Sequence, residues 1–238
     1  EELGQARAPR VPAEPFDSFS RRFLEAARSG GQDLILVSQV LFASGRLFDG
    51  IAELSALAET GGPWVVVDGY HAFMAVDRPV AAEARDRIFY LGGGYKYAMA
   101  GEGMAFLHCP PGSGPRPPLT GWFPEFGELT APPGSSVGYT ADAMRFMGAT
   151  FDPSALYRFN PIRRVLRDRG LTTPRISAHV ASLQQRFLDR LAGSALGEAE
   201  LLNPLDGRPH ARFLAFRIPD AARWNAELMA QDCVTDVR

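Results

Sequence analysis

The sequence predicts an α/β protein with a mainly parallel sheet flanked by helices. Three observations lead there. Short apolar runs with the length and composition of buried strands recur at DLILVSQ (33–39), WVVVD (64–68), RIFYLG (87–92) and MAFLHC (104–109). Helix-like amphipathic segments alternate with the first of these runs, the pattern of a sheet with crossover helices. Paired glycines at 30–31 and 61–62 close those helices just before the next strand begins.

In chain order, FDSFSRRFLEAARS (16–29) reads as an amphipathic helix capped by Asp17 or Ser18 and stopped by Gly30 and Gly31. The strand 33–39 follows, then a loop, VLFASGRLFD, and a helix over roughly 50–60. WVVVD is the clearest strand of the chain, and 87–92 and 104–109 are expected to be buried as well. Residues 110–138 are rich in Pro and Gly and carry two aromatic pieces, GWF (121–123) and EFGEL (125–129). This is too long for a simple connection and reads as a functional loop. Beyond it the texture changes to helices over 153–169 and 174–192, a strand-like HARFLAFRI (210–218) and a helix from Asp220, with a domain boundary near 170.

Hydrophobic residues make up 46% of the chain and charged residues 22%, as in a soluble globular protein. The net charge of -2 argues against a general nucleic-acid or anionic-membrane binder. With no membrane-length apolar run, no signal peptide and only Cys109 and Cys233, a cytoplasmic protein is expected. The first residues, EELGQARAPR, lack an initiator methionine, and DCVTDVR stops just after a helix-like segment. The chain reads as a piece of a longer protein, truncated at both ends.

All but one of the 25 lysines and arginines are arginine, and the exception is Lys96, in LGGGYKYAMAGEG. Arginine serves for surface charge, but only lysine has an amine that can lose its proton and form a Schiff base. Aromatic neighbours and burial favour the neutral amine, and Lys96 stands between Tyr95 and Tyr97, after three glycines. Asp68 ends the WVVVD strand, where side chains enter the ligand crevice of an α/β sheet, and His71 follows three residues on. Pyridoxal phosphate needs this pair: a lysine for the Schiff base and an acid facing the pyridine nitrogen.

Other constellations are weaker. There is no HExxH, CxxC or Walker sequence, and no metal site is expected. Arg158, Arg163, Arg164, Arg167 and Arg169 read as a solvated helix face. Ser38, Ser135 and Ser136 lack the local signature of a hydrolase. Cys109, at the end of a strand, reads as structural, and Cys233 as a weak nucleophile candidate.

VDGYHAF (67–73), GGGYKYAMAGEG (92–103) and LTGWF (119–123) resemble motifs of the class V aminotransferase family of pyridoxal-phosphate enzymes (fold type I), closest to its kynureninase-like members. VSQVLFASGRLFD (37–49) resembles the family segment upstream of the aspartate strand. The likeness runs through most of 33–160 and weakens after about 170. It implies that 1–170 is part of the cofactor-binding large domain and 171–238 part of a smaller C-terminal α/β domain.

The resemblance also implies roles. Lys96 forms the Schiff base, Asp68 pairs with the ring nitrogen, and His71 lies close to the cofactor. Tyr95 hydrogen-bonds its phosphate, Ser38 is a polar residue near it, and Trp122 lies beside the cofactor and the dimer neighbour, where it shapes substrate choice. Thr150, in MGATFD (147–152), reaches the partner subunit's cofactor and so implies a homodimer. The sequence departs from the kynureninase pattern where Gly93-Gly94 replaces a Cys-Ser pair and Gly148-Ala149-Thr150 a Ser-Asn-Pro segment. The phosphate loop is expected before Glu1 and the carboxylate-binding arginine after Arg238.

The expected function is an enzyme acting on an amino acid or amine at its α-carbon, with aminotransfer first. A kynureninase-like hydrolase or a cysteine desulfurase or lyase is the alternative. A non-catalytic protein of the same fold, binding the cofactor or a partner, is an alternative of another class.

Overall fold

The computed structural model describes residues 8–59, 61–112, 114, 117–124, 138–207 and 210–237. The loop pieces at 125–129 and 135–136 lie outside the described residues. Four strands form one sheet in the order β1 (Leu34–Ser38), β2 (Trp64–Asp68), β3 (Phe89–Gly93) and β4 (Ala105–His108). The first three run parallel, with Ser38 beside Asp68 and Asp68 beside Leu91, and β4 returns antiparallel to β3. The α/β expectation holds, with an antiparallel edge on a mostly parallel sheet.

Alternation along the strands divides the sheet into two faces. Ile35, Val37, Val65, Val67 and Tyr90 point to one side, where α1 (Phe19–Arg28) and α2 (Ile51–Leu57) cover them. Phe19, Phe23 and Phe48 make a ring cluster there, with centroids 5.4–6.1 Å apart. Leu54, Val65 and Val67 are fully buried, and each such aliphatic side chain contributes about 1.5–3 kcal/mol. The other face is exposed at the two edge strands, where Leu34 is 55% exposed, Leu36 59% and Leu107 38%, while at β3 Phe89 is buried against Trp64 and Phe146. The expectation of buried strands is therefore corrected for β1 and β4, each of which leaves one face exposed.

The expected cap of the first helix also changes. Asp17 and Ser18 belong to a 3-10 turn, Phe16–Ser18, and the Ser18 hydroxyl donates to the Pro15 carbonyl instead of capping α1. Asp17 pairs with Arg46.

A short helix, α3 (Ala82–Arg85), precedes β3. After the long loop come α4 (Ser154–Asp168) and α5 (Thr173–Leu191), the latter capped by the Thr172 hydroxyl, which accepts from the Arg175 N–H. A two-stranded ribbon, β5 (Glu200–Leu201) with β6 (Phe216–Arg217), and α6 (Ala221–Met229) complete the chain. The expected strand 210–218 is thus reduced to its last part. Its first residues spend their backbone groups elsewhere: Ala211 N donates to Gly45 O at 3.0 Å, and Ala211 O accepts from Gln184. Among the described residues no helix is long and apolar enough to cross a membrane.

Candidate functional site

The carboxyl ends of β1, β2 and β3 gather the polar residues. Ser38 and Asp68 are register partners, and the Ser38 hydroxyl donates to Asp68 Oδ2 at 3.0 Å. The Tyr70 N–H donates to Asp68 Oδ1 at 3.0 Å. Each carboxylate oxygen thus has one donor and a further lone pair to offer.

The chain turns at once after Asp68. Gly69 O accepts from the N–H groups of Ala72 and Phe73, winding 69–76 into a turn that carries His71. His71 packs between aromatic rings: Phe42 at 5.0 Å, Phe213 at 5.9 Å and Tyr97 at 6.4 Å. Phe42 sits at the tip of loop 40–47, which is closed by a bridge between Val40 and Leu47 and by Gly45 N donating to Leu41 O.

Lys96 lies in the turn after β3. Gly94 accepts from Ala100 and donates to Met104, and Met99 N donates to Lys96 O. Ala98 and Ala100 are buried against Met104, Ala155 and Phe159, so α4 holds the turn from below. Arg158 adds a clamp by donating to the carbonyls of Ala100 and Glu102. Arg158 is exposed, as are Arg163, Arg164 and Arg167, as expected of a solvated face, and the two bonds to the turn are what the structure adds. The Lys96 ammonium stands 4.9 Å from the Tyr95 ring and 5.6 Å from the Phe42 ring, and makes no ion pair among the described residues.

Glycines let the rings close over this end of the sheet. A side chain on Gly69 would collide with Tyr90, and one on Gly93 with Tyr70. The departure from Cys-Ser at 93–94 has this steric reason, because Gly94 is likewise closed in by Ala100 and Met104. Burial raises the Tyr70 phenol above its usual range, and Tyr95 and the Asp68 carboxylate add to the effect.

Of the expected site residues, Ser38 and Asp68 touch directly. Tyr95 flanks Lys96 and packs on Tyr70 at 5.5 Å, and Phe42 links Lys96 to His71. Trp122 packs edge-on to Phe123 and is half exposed. Thr150 is exposed; its segment is tied to that of Trp122 where Gly121 N donates to Gly148 O at 2.9 Å. The contacts around Lys96 and Asp68 include none from Thr150. Phe42, Tyr70, Arg212 and Phe213 join the site without having been singled out beforehand. The first two lay inside the motifs that carried the resemblance, and the last two had no signal. A cavity of about 520 Å³ is lined by Gln39, Leu41, Arg46, Leu47 and His210 among others, and none of the expected site residues lines it.

Of the cysteines, Cys233 is exposed and Cys109 half-buried, and burial pushes the Cys109 thiol up. A nucleophilic thiol needs the opposite shift.

Comparison with known proteins adds one relative. Over 111 residues, 47% of the chain, the sequence is 33% identical to isopenicillin N epimerase of Streptomyces clavuligerus. The relative is an enzyme. The chain spans 27% of its length. No family model matches the chain. The likeness is to an epimerase, so the kynureninase-like branch rests on the motifs alone.

Proposed function

We propose that this chain is part of a pyridoxal-phosphate enzyme of the class V aminotransferase type, acting on an amino acid or amine. The observation that carries the reading is the pairing of an ammonium without a carboxylate partner, Lys96, with a carboxylate, Asp68, at the same end of the sheet. The donor set suits the cofactor, since Asp68 keeps an acceptor for a ring N–H and Lys96 keeps its amine. Bound there, pyridoxal phosphate supplies an electron-poor ring that stabilises negative charge on the carbon beside the substrate's nitrogen.

Lys96 would hold the cofactor through its amine and would move the proton at the substrate's α-carbon. Asp68 keeps the ring nitrogen protonated, and Ser38 and the Tyr70 N–H orient that carboxylate. His71 forms a wall of the site, Tyr95 binds the phosphate, and Trp122 shapes substrate choice. Thr150 serves the neighbouring subunit of a homodimer, with 1–170 in the large domain and 171–238 in the small one. Proton movement at the α-carbon is common to aminotransfer, to the epimerisation in the relative's name and to the hydrolase and lyase alternatives, while burial pushing the Cys109 thiol up disfavours that residue as a desulfurase nucleophile.

The test is the visible spectrum of the protein with pyridoxal phosphate, before and after borohydride, followed by peptide mass mapping. A borohydride-sensitive band and a pyridoxyl adduct on Lys96, both lost in Lys96→Ala, are expected. A full-length protein with no such band would overturn the reading.

A further inference from the structure

The geometry points to Gln39 as a positioning residue: it closes a clasp on segment 68–79, the stretch that carries Asp68 and His71. This rests on the functional reading above and extends it to a residue outside the expected site. Gln39 directly follows Ser38 at the carboxyl end of β1 and is only 4% exposed. A buried amide must find partners for its polar ends, and the four polar ends of Gln39 reach four separate stretches of chain. Its backbone N–H donates to Asp68 O at 2.9 Å, and its carbonyl accepts from Phe48 N at 2.8 Å. Its side-chain Nε2 donates to Pro79 O, and its Oε1 accepts from the Tyr90 hydroxyl at 3.0 Å.

The bonds to Asp68 O and Pro79 O hold the two ends of one segment. Between them the chain makes the turn after Gly69, then runs exposed through Asp77 and Arg78, where Arg78 takes a φ of +47°. A left-handed arginine persists only where its surroundings over-determine it, and the Gln39 bond falls on the next residue. Tyr90 sets which way the amide faces. The reverse orientation would put the Gln39 oxygen against the Pro79 carbonyl, two acceptors face to face. Tyr90 is itself held in place: it is buried, stacked on Phe106, and set against Gly69 so closely that a Cβ there would strike its hydroxyl end. Ser38, whose hydroxyl holds Asp68 Oδ2, adjoins Gln39 in the chain, so the clasp bears on the donor as well as on the carboxylate. Gln39 reaches Asp68 through the backbone, which makes it a positioning residue and not a catalytic one.

Two variants of the full chain test the proposal. Gln39→Met keeps the length of the side chain and removes both its bonds; Tyr90→Phe keeps the ring and frees the Gln39 oxygen. With folding checked by circular dichroism, pyridoxal phosphate affinity is read by absorbance titration and the amide hydrogen exchange of 69–79 by mass spectrometry. Gln39→Met should weaken pyridoxal phosphate about tenfold and speed exchange in 69–79 about tenfold, as for a buried group left without its partner. Tyr90→Phe should move both readouts about fivefold, and it serves alone if Gln39→Met does not fold. A merely structural Gln39 would lower the urea midpoint and leave both readouts at their wild-type values, which would overturn the proposal. Faster exchange with unchanged affinity would leave Asp68 undisturbed and overturn it as well. The borohydride-sensitive band is read in parallel. A band in wild type, with neither readout moved in the folded variants, sinks this proposal alone. A wild type without a band sinks the cofactor reading, and the exchange of 69–79 then upholds or overturns the clasp by itself.

Discussion

The Ser38 hydroxyl on β1 donates to the Asp68 carboxylate on β2 across a shared register position, at 3.0 Å. The carboxylate is thereby held from the side by a neighbouring strand at the carboxyl end of β2. Ser38→Ala removes one of its two donors and leaves the strand pairing intact. Pyridoxal phosphate should then bind about five times more weakly, in line with a hydrogen bond of about 1 kcal/mol. Absorbance titration measures it, and an unchanged affinity would separate Asp68 from the cofactor.

Gly69 and Gly93 each lie beneath a tyrosine ring. Gly69→Ala or Gly93→Ala pushes Tyr90 or Tyr70 aside and should cost about 1–3 kcal/mol of stability. Urea unfolding reads the cost. A control at Gly112, with nothing within 4 Å of an added Cβ but a φ of +66°, separates backbone strain from ring collision.

Stability should fall in alkali. Burial, aided by the Asp68 carboxylate, raises the Tyr90 phenol well above its ordinary 10.0. The folded protein therefore keeps a proton that the unfolded chain releases. The stabilisation is complete below the ordinary phenol value and is lost as pH climbs from there toward the folded value. Tyr70 and Tyr97 shift in the same direction through burial, and Cys109 does so from 9.0. Urea midpoints between about pH 8 and pH 11 should decline, by about 1.4 kcal/mol per pH unit for each proton released. In Tyr90→Phe the decline is shallower. That variant starts about 1 kcal/mol lower at neutral pH, because the Tyr90 hydroxyl no longer donates to Gln39 Oε1.

The strands and most helices were legible because their signals are local: apolar runs of strand length, glycine stops and amphipathic stripes. Lys96 and Asp68 were legible as residue types with chemistry that arginine and apolar neighbours lack. What the sequence hid depends on distant contacts. The open face of β1 follows from which helices pack where, and no run of leucines announces it. The shortened strand at 210–218 follows from Gly45 and Gln184 taking its hydrogen bonds. Arg212 was hidden by the same arginine bias that made the single lysine conspicuous. Its buried Nε without an acceptor sets it apart, and that is a property of three dimensions.

The leucines left exposed on the two edge strands bear on how this chain by itself behaves during purification. Leu34, Leu36 and Leu107 present side chains to water from alternate positions of two strands. Sulfate and other excluded salts strengthen apolar burial without changing a single internal contact. The protein should therefore leave solution early in an ammonium sulfate cut and be held strongly by phenyl-substituted chromatography media.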